Sequence, residues 1–151
     1  MDKQIVIDGK ATTLRATALV PKLYRHLIGR DIVADMAKLR KAYSAAEAAR
    51  KAGASEEEQT DSSLSAMDLE IFENVAWVML KHAAEYRDVE VGEGDAKETV
   101  RQLWNGDMYV GKSPDDWLEH LDGIFPVYTV LPDILELWEI NSKPTVQPGK
   151  K

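Results

Sequence analysis

Residues 5 to 17, IVIDGKATTLRAT, place an apolar β-branched run, Ile5 to Ile7, and a mixed run, Ala11 to Thr17, on either side of a central Asp8-Gly9. Two such runs around a glycine-containing turn predict a β-hairpin, here over residues 1–16. No third strand is predicted to complete a sheet. Because an isolated two-stranded hairpin is only marginally stable in water, we expect helices of the same chain or another molecule to cover it.

The register of this hairpin depends on the loop. An Asp8-Gly9 turn would place Lys10 opposite Ile7, on the apolar face, whereas a Gly9-Lys10 loop places Ile7 opposite Thr12. A slip of one residue exchanges the two faces of a strand. We therefore predict a Gly9-Lys10 loop, with glycine at the first position of a type II′ turn and an apolar face formed by Ile5, Ile7 and Leu14.

The period changes to that of a helix after residue 17. Apolar positions from Leu19 to Ile28 follow i, i+3, i+4 spacing and end at Gly29, which predicts a first helix. A second helix is predicted from Asp31, with an apolar stripe of Ile32, Met36, Leu39 and Tyr43. The segment from 53 to 63, GASEEEQTDSS, is predicted to be an exposed acidic loop.

A third helix is predicted from Met67 to Tyr86, capped by Ser65 with Asp68 at the capping-box position. Its run VAWVML is apolar nearly all round, which is typical of a helix buried on several sides. We expect this to be the central core helix.

The segment from residue 88 to residue 112 has no clear period. Gly92 and Gly94 interrupt it, and we expect a short helix over Ala96–Trp104 and an extended piece over Met108–Val110. SPDDWLEHL then predicts a helix with Ser113 as N-cap and Pro114 at the first position.

The last helix is predicted in VYTVLPDILELWEI, before a polar tail. The predicted fold is therefore mainly α, with a small N-terminal β-hairpin packed on a helical domain of about five to six helices. Residues 1–140 form the domain and residues 141–151 a flexible C-terminal tail.

Composition excludes several classes of protein. A net charge of −7 repels phosphate backbones, and the cluster Lys38, Arg40, Lys41 is more simply a solvated helix face, so we expect no nucleic-acid partner. The absence of cysteine excludes disulfides and thiolate chemistry. The N-terminus lacks the apolar core of a signal peptide, and no stretch approaches the roughly 20 apolar residues of a membrane span, which predicts a cytosolic protein without a membrane partner.

The residues that could carry chemistry form no known catalytic or metal motif. His82 and Glu85 could share a metal on one helix face, but His82 is more simply a histidine at the rim of the core. Asp115-Asp116 and Glu136 could be an acid pair, although adjacent aspartates in a first helical turn are usually cap and dipole partners. We therefore predict no catalytic, cofactor or metal site, and no enzyme.

The candidate functional residues are instead partner contacts: Val6, Trp104 and Tyr109. Val6 lies on the hairpin face opposite Ile5 and Ile7, and Trp104, just before Asn105-Gly106, is the tryptophan most expected to be exposed. Tryptophan is enriched at binding hot spots. The other three tryptophans, Trp77, Trp117 and Trp138, are expected in the core.

Three blocks of the sequence resemble the tail assembly chaperones of long-tailed bacteriophages and of prophages of Gram-positive bacteria. They are the hairpin running into LRATALVPKLYRHLIGRDIVADMAKL (14–39), DLEIFENVAWVMLKHA (68–83) and SPDDWLEHLDGIFPVYTVLPDILELW (113–138). In the family the second block leads to the third after only a few residues, whereas here residues 84–112 intervene.

The resemblance implies a mainly helical, non-enzymatic protein of the host cytoplasm without a cofactor. Such a protein binds the aggregation-prone tape measure protein, helps to recruit tail tube protein during virion morphogenesis, and forms a homo-oligomer. The alternatives are another phage morphogenesis component, such as a head–tail adaptor, and more remotely a metal-dependent helical hydrolase that uses His82, Glu85 and His120.

Overall fold

A computed structural model describes residues 1–51, 65–123, 125 and 127–142. In this part of the chain, two small antiparallel sheets accompany five α-helices and one short 3-10 turn, Gly94–Ala96. The elements in chain order are β1 (Asp2–Ile7), β2 (Lys10–Arg15), α1 (Val20–Ile28), α2 (Ile32–Lys51), α3 (Ala66–His82), β3 (Glu85–Val91), β4 (Glu98–Asn105), β5 (Met108–Tyr109), α4 (Pro114–Glu119) and α5 (Val127–Ser142).

The fold is mixed α/β, so the prediction of a mainly α protein with a single hairpin is wrong. Residues 85–109 form a three-stranded sheet in the order β3-β4-β5. The helix predicted over Ala96–Trp104 is mostly strand β4, and α3 ends at His82 rather than at Tyr86. The physical reason is cross-strand pairing, with Val89 opposite Val100, which overrides the modest helix propensity of the local sequence.

The predicted register of the first hairpin is also wrong. Asp8 and Gly9 form the two-residue turn, with φ of 55° and 74°, the combination required by a type I′ turn. Lys10 therefore lies opposite Ile7. Its ammonium group reaches the Asp8 carboxylate at 3.3 Å and that of Asp122 at 3.5 Å, so the charge stays at the rim while the stem covers the apolar face.

The apolar face of the hairpin and the central helix are found as predicted. Ile7 and Leu14 are fully buried against the helices. Helix α3 packs against β2, α1, α2, α4 and α5, so it lies at the centre of the core. It buries Ile71, Phe72 and every residue from Val75 to Leu80.

Local signals at the helix ends are confirmed. Ser65 and Asp68 form the reciprocal capping box of α3, and Ser113 accepts the Asp116 N–H at the start of α4. Gly29 ends α1, and the Asp31 carboxylate accepts the Val33 N–H at 3.0 Å. These local signals fix where the helices begin and end.

Two predicted segments lie wholly or mostly outside the described residues. They are the acidic loop over 53–63 and the C-terminal tail, of which only residues 141 and 142 are described, at the end of α5. Among the helices that the structure describes, none has the length and apolar character needed to cross a bilayer.

Candidate partner-binding surfaces

Val6 lies on the outward face of the β1–β2 hairpin, where 63% of its surface is exposed. Because Ile5 and Ile7 point into the core, Val6 points away from it. Gln4, Ala11 and Thr13 share this face and, with Gly106, line a shallow groove of about 350 Å³. An exposed apolar side chain in a groove bounded by strand backbone is suited to contact another chain.

The outer edge of β2 is closed by the chain itself. The side-chain amide of Asn105 accepts the Thr13 N–H at 2.8 Å and donates to the Thr13 carbonyl at 2.7 Å. The Asp107 N–H donates to the Ala11 carbonyl at 3.3 Å. Gly106, between them, approaches so closely that an added Cβ would collide with the Ala11 carbonyl oxygen. No strand can therefore add to the hairpin from this side.

Within the described part of the chain, the outer edge of β1 is open to a further strand. Ala11 and Thr13 direct their backbone groups away from β1, so their Cα partners Val6 and Gln4 direct theirs away from β2. None of the described residues donates or accepts a hydrogen bond at the backbone groups of Gln4 and Val6. Such an edge is a template for pairing with a further strand.

Trp104 and Tyr109 are brought together as opposite residues of β4 and β5. Their rings make an edge-to-face contact with centroids 5.7 Å apart. The Arg87 guanidinium lies 5.5 Å from the Trp104 ring, and the Tyr109 ring packs at 4.3 Å against His120. Both side chains are half-buried, and neither lines the groove at Val6. The three predicted contacts therefore belong to two separate surfaces.

Asp116 ties the Trp104–Tyr109 pair to α4. Its carboxylate accepts the Tyr109 hydroxyl at 2.8 Å and the Lys112 N–H at 2.9 Å. Burial alone would raise the pKa of Asp116, but these hydrogen bonds together lower it. Burial and the bond to Asp116 raise the pKa of Tyr109. Asp116, the second aspartate of the Asp115-Asp116 pair, is therefore a structural anchor, as its position at the start of a helix indicates.

His82 and Glu85, the alternative pair of metal ligands, do not share a helix face. Glu85 begins strand β3, beyond the end of α3, and His82 Nε2 lies 2.8 Å from the Thr17 hydroxyl. Burial and then the charge of Arg15 lower the pKa of His82. His120 Nδ1 lies 2.7 Å from the Asp116 carbonyl oxygen. Within the described part of the chain, no three histidine or acidic side chains are grouped as metal ligands.

Two buried polar residues were not predicted from the sequence. Asn105 closes the β2 edge, and its Nδ2 also donates to the Leu80 carbonyl at 2.9 Å. Asp35 accepts the Tyr24 hydroxyl and a bidentate pair of bonds from Arg30, which joins α1 to α2. Asp35 follows the buried Ile32 by three residues and directly precedes the buried Met36. This polar residue within an apolar stripe was the only local signal that Asp35 is buried.

Comparisons with family models, with curated proteins and with solved structures found no match to this chain.

Proposed function

We propose that the protein is a bacteriophage or prophage tail assembly chaperone that binds the tape measure protein in the host cytoplasm and helps to recruit tail tube subunits. The observation that carries the binding role is the open β1 edge beside the exposed Val6. The identity of the partner comes from the sequence blocks that resemble the family.

The arrangement of those blocks supports the proposal. The hairpin with α1 and the start of α2, then α3, then α4 with α5, contribute to one continuous core around α3. Residues 84–112, by which this chain departs from the family pattern, add the sheet β3-β4-β5. The distal half of its β3–β4 hairpin, from Asp88 to Val100, is largely exposed. The rest of the segment belongs to the core, because Leu103, Met108 and Val110 are buried in it.

The β1 edge suggests how such a chaperone holds a client. A long helical protein that has not yet assembled exposes apolar surface and unpaired backbone, which drive its aggregation. Strand addition satisfies backbone groups of the added segment without requiring a particular sequence. The same edge can pair with a second copy of the chain, which accounts for the expected homo-oligomer.

Co-expression tests the function. The protein is expressed with the tape measure protein encoded in the same genome, and in parallel with the portal and the major capsid protein. We expect the tape measure protein to become soluble and to co-purify with the chain. Co-purification with the portal or capsid protein instead would assign the chain to the head–tail adaptors and overturn the proposal.

A further inference from the structure

A second surface lies between α1 and the C-terminal end of α3. Leu19, Leu23 and Leu27 repeat every four residues from the N-cap of α1 onward and form one bank of a groove. Val78 forms its floor, and Lys81 and His82 form the other bank. Leu19 is 46% exposed and Leu27 39% exposed, whereas Leu23 between them packs against the core. An apolar row with this much exposure is unusual on a charged surface.

The rim of this groove carries two lysines, Lys22 and Lys81, in an acidic protein. Lys22 and His26 follow Leu19 and Leu23 at i+3, which places them beside the leucine row. Lys81 and His82 lie across the groove. The chain has 26 acidic residues, yet none occurs from residue 9 to residue 30 or from residue 74 to residue 84, the segments that form both banks.

The dimensions favour side chains of another protein over a small ligand. The groove encloses about 170 Å³, below the roughly 300 Å³ at which small-molecule pockets begin. The leucine row spans about 12 Å, or about two helical turns, at 1.5 Å per residue. A helix presenting apolar residues at i, i+3 or i+4, and i+7 matches such a row.

We propose that this groove binds an amphipathic helix whose apolar stripe is flanked by carboxylates, and that the tape measure protein supplies this helix. The partner's leucine-like side chains cover Leu19, Leu23 and Leu27, and its carboxylates face Lys22 and Lys81. The assignment of the helix to the tape measure protein rests on the proposed function, whereas the chemistry of the helix rests on the groove alone.

Two probes separate these statements. The first is a designed helical peptide with leucines at i, i+4 and i+7 flanked by glutamates, compared with the same peptide carrying lysines. The second is a set of overlapping peptides that cover the tape measure protein. Binding of each fluorescently labelled peptide to the full chain is followed by polarisation at low and high salt. We expect the glutamate peptide to bind, the lysine peptide to fail, and high salt to weaken binding.

Matched variants locate the site. The double variant Leu19→Ser/Leu27→Ser should weaken binding of the glutamate peptide by about tenfold or more, as loss of two central apolar contacts does at other interfaces. Lys22→Glu should weaken it too, whereas Lys41→Glu, the same charge change on the exposed surface of α2, should not. Because Lys22 is exposed, its variant folds even if the leucine double variant does not.

The outcomes are distinct. Binding of the glutamate peptide without any tape measure peptide would keep the groove's chemistry but refute its assignment to that partner. Co-purification of the tape measure protein that is insensitive to the groove variants would leave the proposed function intact and overturn the groove. A change in the sedimentation of the protein alone on Leu19→Ser would assign the groove to a second copy, which also overturns the proposal.

Discussion

Asn105 takes the place of a third strand beside Thr13. Its side-chain amide makes both hydrogen bonds, at 2.8 and 2.7 Å, that a neighbouring backbone would make to the Thr13 N–H and carbonyl. A third bond, to the Leu80 carbonyl at 2.9 Å, fixes the amide to the end of α3. One buried side chain thus joins the hairpin, the second sheet and the central helix. This contact, with the helices under the inward face, explains how a two-stranded hairpin persists here.

Replacement of Asn105 by alanine should destabilise the fold by about 1–3 kcal/mol, because it leaves buried backbone groups without partners. Urea unfolding measures the loss, and hydrogen exchange at the Thr13 amide should accelerate relative to the rest of β2. Asn74→Ala is the control, since the Asn74 side chain makes no hydrogen bond to the described residues and alanine favours a helix interior. Equal stabilities of the two variants would contradict the role of Asn105.

Helix α3 and its capping box were predictable because their signals are local. Ser65 and Asp68 lie three residues apart, and the run VAWVML follows within the same helix. Asn105 and its partner Thr13 lie 92 positions apart in the chain, and no local pattern reports such a contact. The groove beside α1 could not be predicted for the same reason, because its two banks come from α1 and from the C-terminal end of α3.

Strands β3 and β4 were missed for a different reason. Val89 and Val91 alternate with charged residues, but both faces of the distal half of the β3–β4 hairpin are largely solvent-exposed. Without a buried face, the apolar half of the alternation is weak and resembles the surface of a helix. The pairing of Val89 with Val100 across the strands stabilises the sheet, and only the register shows it.

Trp77→Ala should cost about 3–5 kcal/mol, the usual range for loss of a buried large aromatic side chain. Trp77 is 1% exposed, and its indole N–H donates to the Val110 carbonyl at 3.0 Å. Trp138 is half-buried, so Trp138→Ala should cost less. Guanidinium unfolding measures both, and a cost below about 1 kcal/mol for Trp77 would be incompatible with a core position.

Asp35 should make stability depend on pH in the acid range. The hydrogen bonds from Arg30, opposed by burial and assisted by Tyr24, lower the pKa of Asp35 in the folded protein below its value in the unfolded chain, which is about 3.9. The unfolded chain therefore binds the proton first. The stabilisation is fully present above the unfolded pKa and is lost as the pH falls from about 4 through the folded pKa.

Asp35→Asn should flatten this part of the curve. Unfolding free energies measured in urea between neutral pH and pH 2 should fall less steeply for Asp35→Asn than for the parent. Asp31→Asn on the same helix is the control, because asparagine is an equally good N-cap and Asp31 is exposed. Parallel curves for the parent and Asp35→Asn would show that the Arg30 pair does not govern acid stability.

The open β1 edge should drive self-association, and the backbone direction at Val6 allows a specific test. The Val6 N–H faces away from β2, so Val6→Pro removes no bond of the hairpin but removes a donor from the free edge. Val6→Thr keeps the N–H and the β-branched shape and loses only apolar character.

We expect dimers or larger assemblies of the parent at micromolar concentration in sedimentation equilibrium. Val6→Pro should weaken them by about tenfold or more, equivalent to roughly 1.4 kcal/mol, and Val6→Thr by much less. Equal losses in the two variants would mean that the exposed side chain, and not the strand edge, makes the contact, and a strictly monomeric parent would refute both.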